Sequence, residues 1–370
     1  MTPALETPSE VARLLAADAP VAVGVSGGKD SCAAAFATAA HLDAIGHRGP
    51  RLLVHSDLGL VEWRDSLPTC ERLAAALGWE LLVLRRAAGG LMERWEARWR
   101  NNVARYRELR CVRLILPWST PSMRFCTSEL KTDVICRALA RRWPNHAIVN
   151  ALGIRADEST ERAKASPCRP QAKLASRTHA TTGLDWLPIL RWSVEDVWRE
   201  IRSRGFEPHE AYSVYGSSRV SCAFCIMSRA SDLAAAARAE ENAGLYRRMV
   251  ALEAASTFAF QGKHWLADVA PRLLDDRLAS AVALAKRGAE MRASAEARIP
   301  AEHLFVRGWP TRIPDDEDAQ LIGSARLAVA RAVGIAGVRY TKGPEVVARY
   351  RELLAEKAER ESKRRHRRAG

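Results

Sequence analysis

Short hydrophobic runs alternate with helix-like segments over the first half of the chain. Runs typical of strands are Pro20–Ser26, Arg51–Ser56, Trp79–Leu84 and His146–Gly153, with a fifth candidate at Asp185–Trp192. Segments typical of helices lie at Asp30–Ala44, Glu62–Leu77 and Ser128–Trp143, and a further helix follows the cap Ser193. Elements in this order form right-handed βαβ units, so we expect a doubly wound parallel sheet with helices on both faces.

The pattern changes after Ala230 to helices alone, rich in alanine and arginine. A proline-containing stretch, Ile299–Pro314, divides this region, and the last helix begins near Pro344. That helix ends in the basic run Lys363–Arg368. We therefore predict an α/β domain over residues 1–230 and an all-helical region with a basic tail over residues 231–370.

The composition is that of a globular protein. The chain has 370 residues, of which 48% are hydrophobic and 27% charged, and this length is sufficient for a full core. No segment approaches the roughly 18 consecutive apolar residues of a membrane span. Residues 1–16 lack the basic and then apolar segments of a secretory signal. These features predict a cytoplasmic protein that does not contact a membrane.

The charge balance is strongly basic, with a formal net charge of +14, and this favours nucleotides or nucleic acid as partners. A second interpretation is that arginine merely supplies surface charge. The segment Arg94–Arg110 holds six arginines interleaved with Trp95, Trp99 and Tyr106. Such a helix either contacts phosphates and stacks on bases, or is amphipathic with buried tryptophans and solvated arginines.

The sharpest chemical signal is the string Ser26–Ser31 (SGGKDS), which lies at a strand end and a helix start. Gly27 and Gly28 allow the backbone to turn sharply and to approach phosphate oxygens closely. The free amides and positive dipole end of the following helix favour an anion, and Lys29 adds a mobile charge. We expect the amides of this loop to form a cup for the phosphates of a nucleotide.

The same string resembles the SGGxDS loop of the PP-loop ATP pyrophosphatase superfamily, whose members split ATP between the α- and β-phosphates. The resemblance implies the adenine nucleotide alpha hydrolase-like fold, which is a Rossmann-like doubly wound sheet. Such sheets bind the nucleotide at the carboxyl ends of their strands. ATP and Mg²⁺ are the cofactors that the resemblance implies.

Four further segments resemble the phosphoadenosine phosphosulfate (PAPS) reductase-like branch of that superfamily. In chain order they are Asp57–Gly59; Arg124–Lys131, of the R-x-C-T-x-x-L-K type; Gly153–Ser159 with Arg162, of the G-x-R-x-x-E-S-x-x-R type; and Trp192–Trp198, followed by Tyr212, Gly216, Arg219 and Cys222-x-x-Cys225. The matches run from about residue 20 to residue 230. Their combination in the family's order is more specific than any one of them.

The resemblance also implies which residues act. The implied nucleotide site consists of Ser26, Gly27, Gly28, Lys29, Asp30, Ser31, Asp57, Gly153, Arg155 and Arg162. Lys29, Asp30 and Asp57 are implied as catalytic, with Lys29 stabilising charge on the departing pyrophosphate. By themselves, Arg155 and Arg162 also suit surface salt bridges, although guanidinium groups match phosphate or sulfate oxygens well. Asp57 either contacts nucleotide or Mg²⁺, or caps the segment after it.

Cys222 and Cys225 have the C-x-x-C spacing that zinc sites and iron–sulfur sites share. A zinc site would need a second close pair of Cys or His, and none is evident. The resemblance implies a [4Fe-4S] cluster held by Cys126, Cys222 and Cys225. The candidates for its fourth ligand are Cys111, Cys136 and Cys168, and a cluster with three protein ligands is the alternative. Small buried hydrophobic residues are the remaining interpretation of these cysteines.

The cysteines in the C-terminal part of the chain bear on which reaction the protein catalyses. PAPS reductases use a catalytic cysteine near the C-terminus, in an E-C-G-x-H type motif, whereas no cysteine follows Cys225 here. The resemblance is therefore closest to the sulfurtransferases of DNA phosphorothioation. We predict an ATP-dependent, pyrophosphate-releasing sulfurtransferase acting on nucleic acid or an anionic small molecule, with a cysteine desulfurase or another sulfur donor as partner. The alternatives are a PAPS or adenylylsulfate reductase and, in another class, a nucleotide-sensing DNA-binding regulatory protein.

Overall fold

A computed structural model describes residues 3–369 and contains a six-stranded sheet. Its strands are β1 (Val21–Val25), β2 (Arg51–Asp57), β3 (Glu80–Arg85), β4 (Ala147–Leu152), β5 (Cys168–Pro170) and β6 (Thr182–Trp186). The spatial order is β3-β2-β1-β4-β6-β5. Neighbours pair in parallel except the edge strand β5, which is antiparallel to β6. The predicted α/β fold is confirmed.

Helices flank the sheet and continue alone after it. They are α1 (Ser9–Ala16), α2 (Lys29–Ala44), α3 (Ser66–Leu77), α4 (Leu91–Arg107), α5 (Phe125–Thr127), α6 (Asp133–Arg142), α7 (Thr160–Ala163), α8 (Val194–Ser203), α9 (Glu210–Ser213), α10 (Ala230–Ala236), α11 (Ala243–Ser256), α12 (Asp276–Ala297), α13 (Asp316–Val333) and α14 (Gly343–Ala369). A π-helical turn, Ser128–Thr132, joins α5 to α6. Among the described helices, none is long and apolar enough to cross a membrane.

Two hydrophobic layers enclose the sheet. One layer, which includes the alanine-rich α2, contains Val21, Val23 and Val25 of β1. The other contains Ala22 of the same strand together with Leu139 of α6. Alternate residues of a strand point to opposite faces of the sheet. Since both faces are covered here, β1 is apolar throughout. This packing places the carboxyl ends of β1, β2 and β4 side by side.

The sheet differs from the prediction at its β5–β6 edge. The predicted strand Asp185–Trp192 is wrong at both ends, because the strand covers Thr182–Trp186. Beyond it the backbone turns, and the N–H of Leu190 donates to the carbonyl of Leu187. The edge strand β5 was not predicted, since three residues are too few to display an alternating pattern.

By internal packing, the described chain divides into two compact units. The first comprises the residues up to Met92 together with Ser119–Leu245, and it contains the sheet. The second comprises Glu93–Trp118 and the residues from Tyr246 onward. The arginine-rich segment thus belongs to the second unit, although it lies within the range predicted for the first domain. After residue 230, the secondary structure of the described residues consists of helices, which confirms the predicted helical C-terminal region.

The second unit is built around buried aromatic residues. The rings of Trp95 and Trp118 meet edge to face with centroids 5.3 Å apart, and Trp118 meets Phe260 at 5.1 Å. Tyr106 is also buried, with its ring against the guanidinium of Arg326. Trp95 and Tyr106 are therefore core residues and cannot stack on bases, so for them the amphipathic interpretation of the helix is the correct one.

Candidate functional site

A cavity of about 480 Å³ opens at the carboxyl ends of β1, β2 and β4. Ser26 and Ser31 line it beside β1, Ser56 lines it at the end of β2, and Gly153 lines it directly after β4. Open parallel sheets bind ligands at this position, because the loops that follow neighbouring strands converge there. The SGGKDS loop therefore lies at the place where the fold favours a ligand.

The wall of this cavity offers positive charge. Arg124, Lys131 and Arg162 all line it. Within the described residues, neither Arg124 nor Lys131 forms an ion pair. The acidic lining residues are each paired, namely Glu62 with His55, Glu161 with Lys164 and Asp185 with Arg169. Unpaired cations in a cleft attract anionic ligands. This charge distribution supports a phosphate-bearing ligand.

The shape of the loop depends on Gly27 and on Ser31. Gly27 has a φ of 74°, in the left-handed region that favours glycine. The Ser31 hydroxyl accepts the N–H of Ser26 at 3.2 Å and donates to the carbonyl of Gly28 at 2.9 Å. The side chain of Ser31 therefore holds the loop in its turned conformation.

The two glycines are buried. A Cβ on Gly27 would lie 2.9 Å from the carbonyl oxygen of Ser66 and 3.2 Å from the ring of His209. One on Gly28 would lie 3.3 Å from the carbonyl oxygen of Val220. The glycine face of the loop is therefore covered by the start of α3 and by residues 209–220, a segment that we name the strap.

The strap is bound directly to the loop. The N–H of Lys29 donates to the hydroxyl of Tyr212 at 3.0 Å, and Lys29 Nζ donates to the carbonyl of Ser218 at 3.3 Å. The open cup that we expect from the sequence is therefore not seen on this side of the loop. Of the loop residues, Ser26 and Ser31 are the ones that line the cavity.

Asp30 is the centre of a buried charge network. Its carboxylate lies 3.2 Å from Lys29 Nζ and 2.5 Å from Arg155 Nε. Arg155 is only 4% exposed and also contacts Asp157 at 2.5 Å. Burial lowers the pKa of Arg155, but Asp30 and Asp157 raise it above its usual value. The structure brings these predicted site residues together, with their charges directed at one another.

Gly153 and Arg162 both line the cavity, as a role in ligand binding requires. A Cβ on Gly153 would lie 2.5 Å from the carbonyl oxygen of Asp30, so only glycine allows β4 to end this close to α2. The guanidinium of Arg162 pairs with Glu158, one helical turn earlier in the sequence. Arg162 therefore combines a salt bridge with a position at the cavity wall.

Asp57 lies at the end of β2 and is held by its own neighbourhood. Its Oδ1 accepts the N–H of Gly59 at 2.6 Å, and its Oδ2 lies 3.7 Å from Arg85 Nε. This is the capping arrangement that the sequence allows. A contact of Asp57 with nucleotide or Mg²⁺ stays a prediction.

Two cavity-lining residues, His55 and Glu62, were not predicted as site residues. Nε2 of His55 lies 3.1 Å from the Glu62 carboxylate, and Nδ1 lies 3.1 Å from the carbonyl oxygen of Val25. Burial lowers the pKa of His55, but its contacts with Cys70 and Glu62 raise it to about 10. A charged His55 thus ties β2 to the residue before the loop. A histidine within an apolar run is the only signal the sequence offers, and it is not a specific one.

Cys126, Cys222 and Cys225 lie near one another in the first unit. Burial raises the pKa of the Cys222 thiol, and the nearby Cys225 and Cys126 raise it further. The N–H of Met227 donates to the sulfur of Cys225 at 3.4 Å, a contact that tunes cluster-binding thiolates. Within the described residues, no three His, Cys, Asp or Glu side chains are arranged to hold a metal ion. The three thiols supply suitable donor atoms for an iron–sulfur cluster, and the cluster itself stays a prediction.

The candidates for a fourth cluster ligand occupy different environments. Cys136 is buried in α6 and lines the cavity, and burial raises the pKa of its thiol to about 12. Cys168 lies in β5, with its sulfur 3.9 Å from a carboxylate oxygen of Glu10. Cys111 belongs to the second unit, where its sulfur accepts from Asn102 at 3.7 Å. None of the three is singled out as a ligand by these contacts.

Known proteins resemble this chain over the same region. Residues 20–227 match the phosphoadenosine phosphosulfate reductase domain family. The chain is also similar to an uncharacterised 37.8 kDa protein from the gpa 5′ region of Escherichia phage 186. The two are 28% identical over 245 residues, which covers 57% of this chain and 68% of the phage protein. The matched family range contains the SGGKDS loop, the cavity lining and the C-x-x-C pair.

Proposed function

The chain belongs to the phosphoadenosine phosphosulfate reductase domain family, and on that premise we propose that it is an ATP-dependent sulfurtransferase that releases pyrophosphate. The proposed acceptor is nucleic acid, as in DNA phosphorothioation, or an anionic small molecule. The observation that carries this proposal is the cavity between the SGGKDS loop and the unpaired cations Arg124 and Lys131. All eight cysteines are free, which suits the reducing cytoplasm that we propose as its location.

The loop and the cavity wall would share the binding of ATP. Ser26 and Ser31 would contact the phosphates at one end of the cavity, while Arg124 and Lys131 would neutralise their charge. Lys29 would exchange its contacts with Asp30 and Ser218 for oxygens of the leaving pyrophosphate. Mg²⁺ would be held mainly by the triphosphate, because this ion is usually bound through phosphates and one or two carboxylates. Asp57 is the predicted carboxylate.

The proposed reaction has three steps. An oxygen of the acceptor attacks the α-phosphorus of ATP, the bond to the bridging oxygen breaks, and pyrophosphate leaves. The outer sulfur of a donor persulfide, such as that of a cysteine desulfurase, then displaces AMP and forms a disulfide between the acceptor and the donor. An external thiol reductant cleaves this S–S bond, which releases the thiolated acceptor and leaves the reductant as a disulfide with the donor cysteine. This route needs no nucleophilic cysteine in residues 226–370, which contain none, whereas the family's reductases use such a thiol near the C-terminus.

We also propose that Cys126, Cys222 and Cys225 hold a [4Fe-4S] cluster, which would carry or polarise sulfur when bound. Their proximity and the N–H···S contact at Cys225 support this part of the proposal. Iron and acid-labile sulfide analysis of protein purified without oxygen tests it. Absorbance near 400 nm with iron and sulfide would support the cluster. Stoichiometric zinc without iron would reject it.

Product analysis separates the proposed reaction from its alternatives. The protein is incubated with ATP and a panel of acceptors, and separately with PAPS and a thiol donor. Pyrophosphate release that depends on an acceptor supports the sulfurtransferase. Sulfite from PAPS would instead support a reductase, which the family membership favours as the second candidate. Tight ATP binding without turnover, together with salt-sensitive DNA binding, would point to a regulatory protein.

A further inference from the structure

A row of polar side chains crosses three strands on the face of the sheet that packs against α6. Asn150 of β4 is in register with Asp185 of β6, and Asp185 is in register with Arg169 of β5. On β4, the neighbours of Asn150 on the same face are apolar, namely Ile148 and Leu152. All three polar residues line the cavity, and the carboxylate of Asp185 and the amide of Asn150 are buried. Polar groups in such a place cost stability unless they are hydrogen-bonded.

The contacts of Asp185 determine how the Asn150 amide is oriented. Its carboxylate accepts from Asn150 Nδ2 at 2.7 Å, from Gln171 Nε2 at 2.8 Å and from Arg169 Nη2 at 3.3 Å. An ionised carboxylate accepts hydrogen bonds and does not donate them. The nitrogen of the Asn150 amide must therefore face Asp185, and its oxygen must point elsewhere.

That oxygen, Oδ1 of Asn150, is buried and has no hydrogen-bond partner among the described residues. Asn150 is only 5% exposed, and it lines the cavity beside the apolar Ile135 and Leu152. Buried polar atoms in folded proteins are nearly always paired. The unpaired acceptor thus marks a point in the cavity where an N–H or O–H donor of a ligand would form a hydrogen bond.

The chemistry of this point excludes two kinds of ligand group. A metal cation would need anionic ligands, but the charge of Asp185 is already compensated by Arg169 and by two neutral donors. A carbonyl oxygen would face Asn150 Oδ1, which is itself an acceptor, and would be repelled. A neutral N–H donor on a flat apolar ring satisfies both the polar atom and the apolar walls.

We propose that Asn150 Oδ1 accepts a hydrogen bond from the exocyclic amino group of adenine and so selects adenine over 6-oxo purines. The inference rests on the proposed function, because it requires an adenine nucleotide in this cavity. Asn150 is in register with Ala22, four residues before Ser26. At roughly 3.3 Å per strand residue the two positions are about 13 Å apart. This distance is comparable to the length of a nucleoside monophosphate, so base and phosphate can bind at opposite ends of the cavity.

The test measures equilibrium binding of ATP, purine riboside triphosphate and inosine triphosphate to the full chain. Purine riboside triphosphate lacks only the amino group, and the inosine nucleotide replaces it with a carbonyl oxygen. Asn150→Leu keeps the branching of the side chain at Cγ, is larger than the native residue, and removes the acceptor. Ile148→Val, on the same strand but in the hydrophobic layer, is the matched control.

We expect the native protein and Ile148→Val to bind ATP about 10- to 100-fold more tightly than either analogue, the usual effect of leaving a buried acceptor unpaired. In Asn150→Leu the preference should fall to within about twofold, while binding through the triphosphate remains. If Asn150→Leu does not fold, Asn150→Val replaces it, and the comparison of ligands on the native protein needs no variant.

Three results would overturn the inference. Equal affinity of the native protein for all three nucleotides would show that the amino group is not read, although the proposed ATP site would stand. Full discrimination by Asn150→Leu would place the recognition on another residue. No binding of any triphosphate to the native protein would reject the proposed function, and the inference with it.

Discussion

The backbone N–H of Lys29 donates to the hydroxyl of Tyr212 at 3.0 Å, although the two residues are 183 positions apart in the sequence. The same hydroxyl accepts the N–H of Val220 at 3.2 Å. Burial raises the pKa of Tyr212, so the hydroxyl stays protonated and neutral. One side chain therefore joins the SGGKDS loop to the strap that covers it.

Removing this hydroxyl should loosen the strap. We expect Tyr212→Phe to lower the free energy of unfolding by about 1–3 kcal/mol, because the N–H groups of Lys29 and Val220 lose their acceptor. Urea denaturation measures the change, and limited proteolysis should cut the strap faster. Tyr215→Phe is the control, since no described hydrogen bond uses that hydroxyl; we expect a change below about 0.5 kcal/mol. Equal stability of the two variants would contradict the role of Tyr212.

Lys29 should be essential for turnover. We expect Lys29→Ala to reduce pyrophosphate release by at least about 100-fold, since an electrostatic contact with the leaving group is lost. Lys164→Ala is the control, because that side chain is exposed and only pairs with Glu161 at 3.8 Å. Its turnover should match the native protein. Native turnover in Lys29→Ala would reject the loop as the phosphate site, and a melting curve checks that the variant is folded.

We expect substitution of Arg155 to affect mainly the stability of the fold, and substitution of Arg162 to affect mainly ATP binding. Arg155→Ala leaves the Asp30 network short of a buried cation, and we expect a loss of about 3–5 kcal/mol in unfolding free energy. Arg162→Ala breaks a partly exposed pair with Glu158 and should cost about 1 kcal/mol or less, but it should weaken ATP binding several-fold. Denaturation and ATP titration measure the two effects. A stable Arg155→Ala variant would show that the network is dispensable.

The strap should loosen at acidic pH because of His209. Its Nδ1 accepts the N–H of Ala211 at 3.0 Å, so the ring is neutral. Burial lowers the pKa of His209 to about 4, although Asp65 opposes this shift. The unfolded chain, with a histidine pKa near 6.5, then binds more protons, and stability is lost as the pH falls below about 6.5 towards 4.

Between pH 7 and pH 5 this group alone should cost about 2 kcal/mol of unfolding free energy. Urea denaturation at the two pH values measures the loss. His209→Gln keeps an acceptor for the Ala211 N–H but does not titrate, so its pH dependence should be smaller by that amount. If both proteins lose the same stability on acidification, another group is responsible.

The features that the sequence predicted well depend on local pattern. The apolar run of β1 and the glycine pair predict a strand, a turn and a helix because each needs only its own residues. Ser193 does cap α8, with the N–H of Asp196 donating to its hydroxyl at 3.1 Å. The mostly parallel sheet then follows from the order of these elements.

Contacts between distant segments could not be predicted in the same way. The pair of Asp30 and Arg155 joins residues 125 positions apart, and it uses a guanidinium that the sequence suggested for phosphate. The burial of the loop glycines depends on Ser66 and on the strap, and nothing in the six-residue string indicates either. Asn150 was not predicted as a site residue, because its importance lies in which of its two amide atoms remains unpaired.

Gly27 lies so close to Ser66 that the turn and the start of α3 depend on each other for their conformation. If these six residues were transferred to a different strand–helix junction, their sequence would be kept. Their conformation would not be kept unless α3 were transferred with them. Even alanine at position 27 would meet a carbonyl oxygen at 2.9 Å in a left-handed conformation. The SGGKDS loop and the start of α3 thus form one structural unit, and a protein design that uses the loop would need to include both.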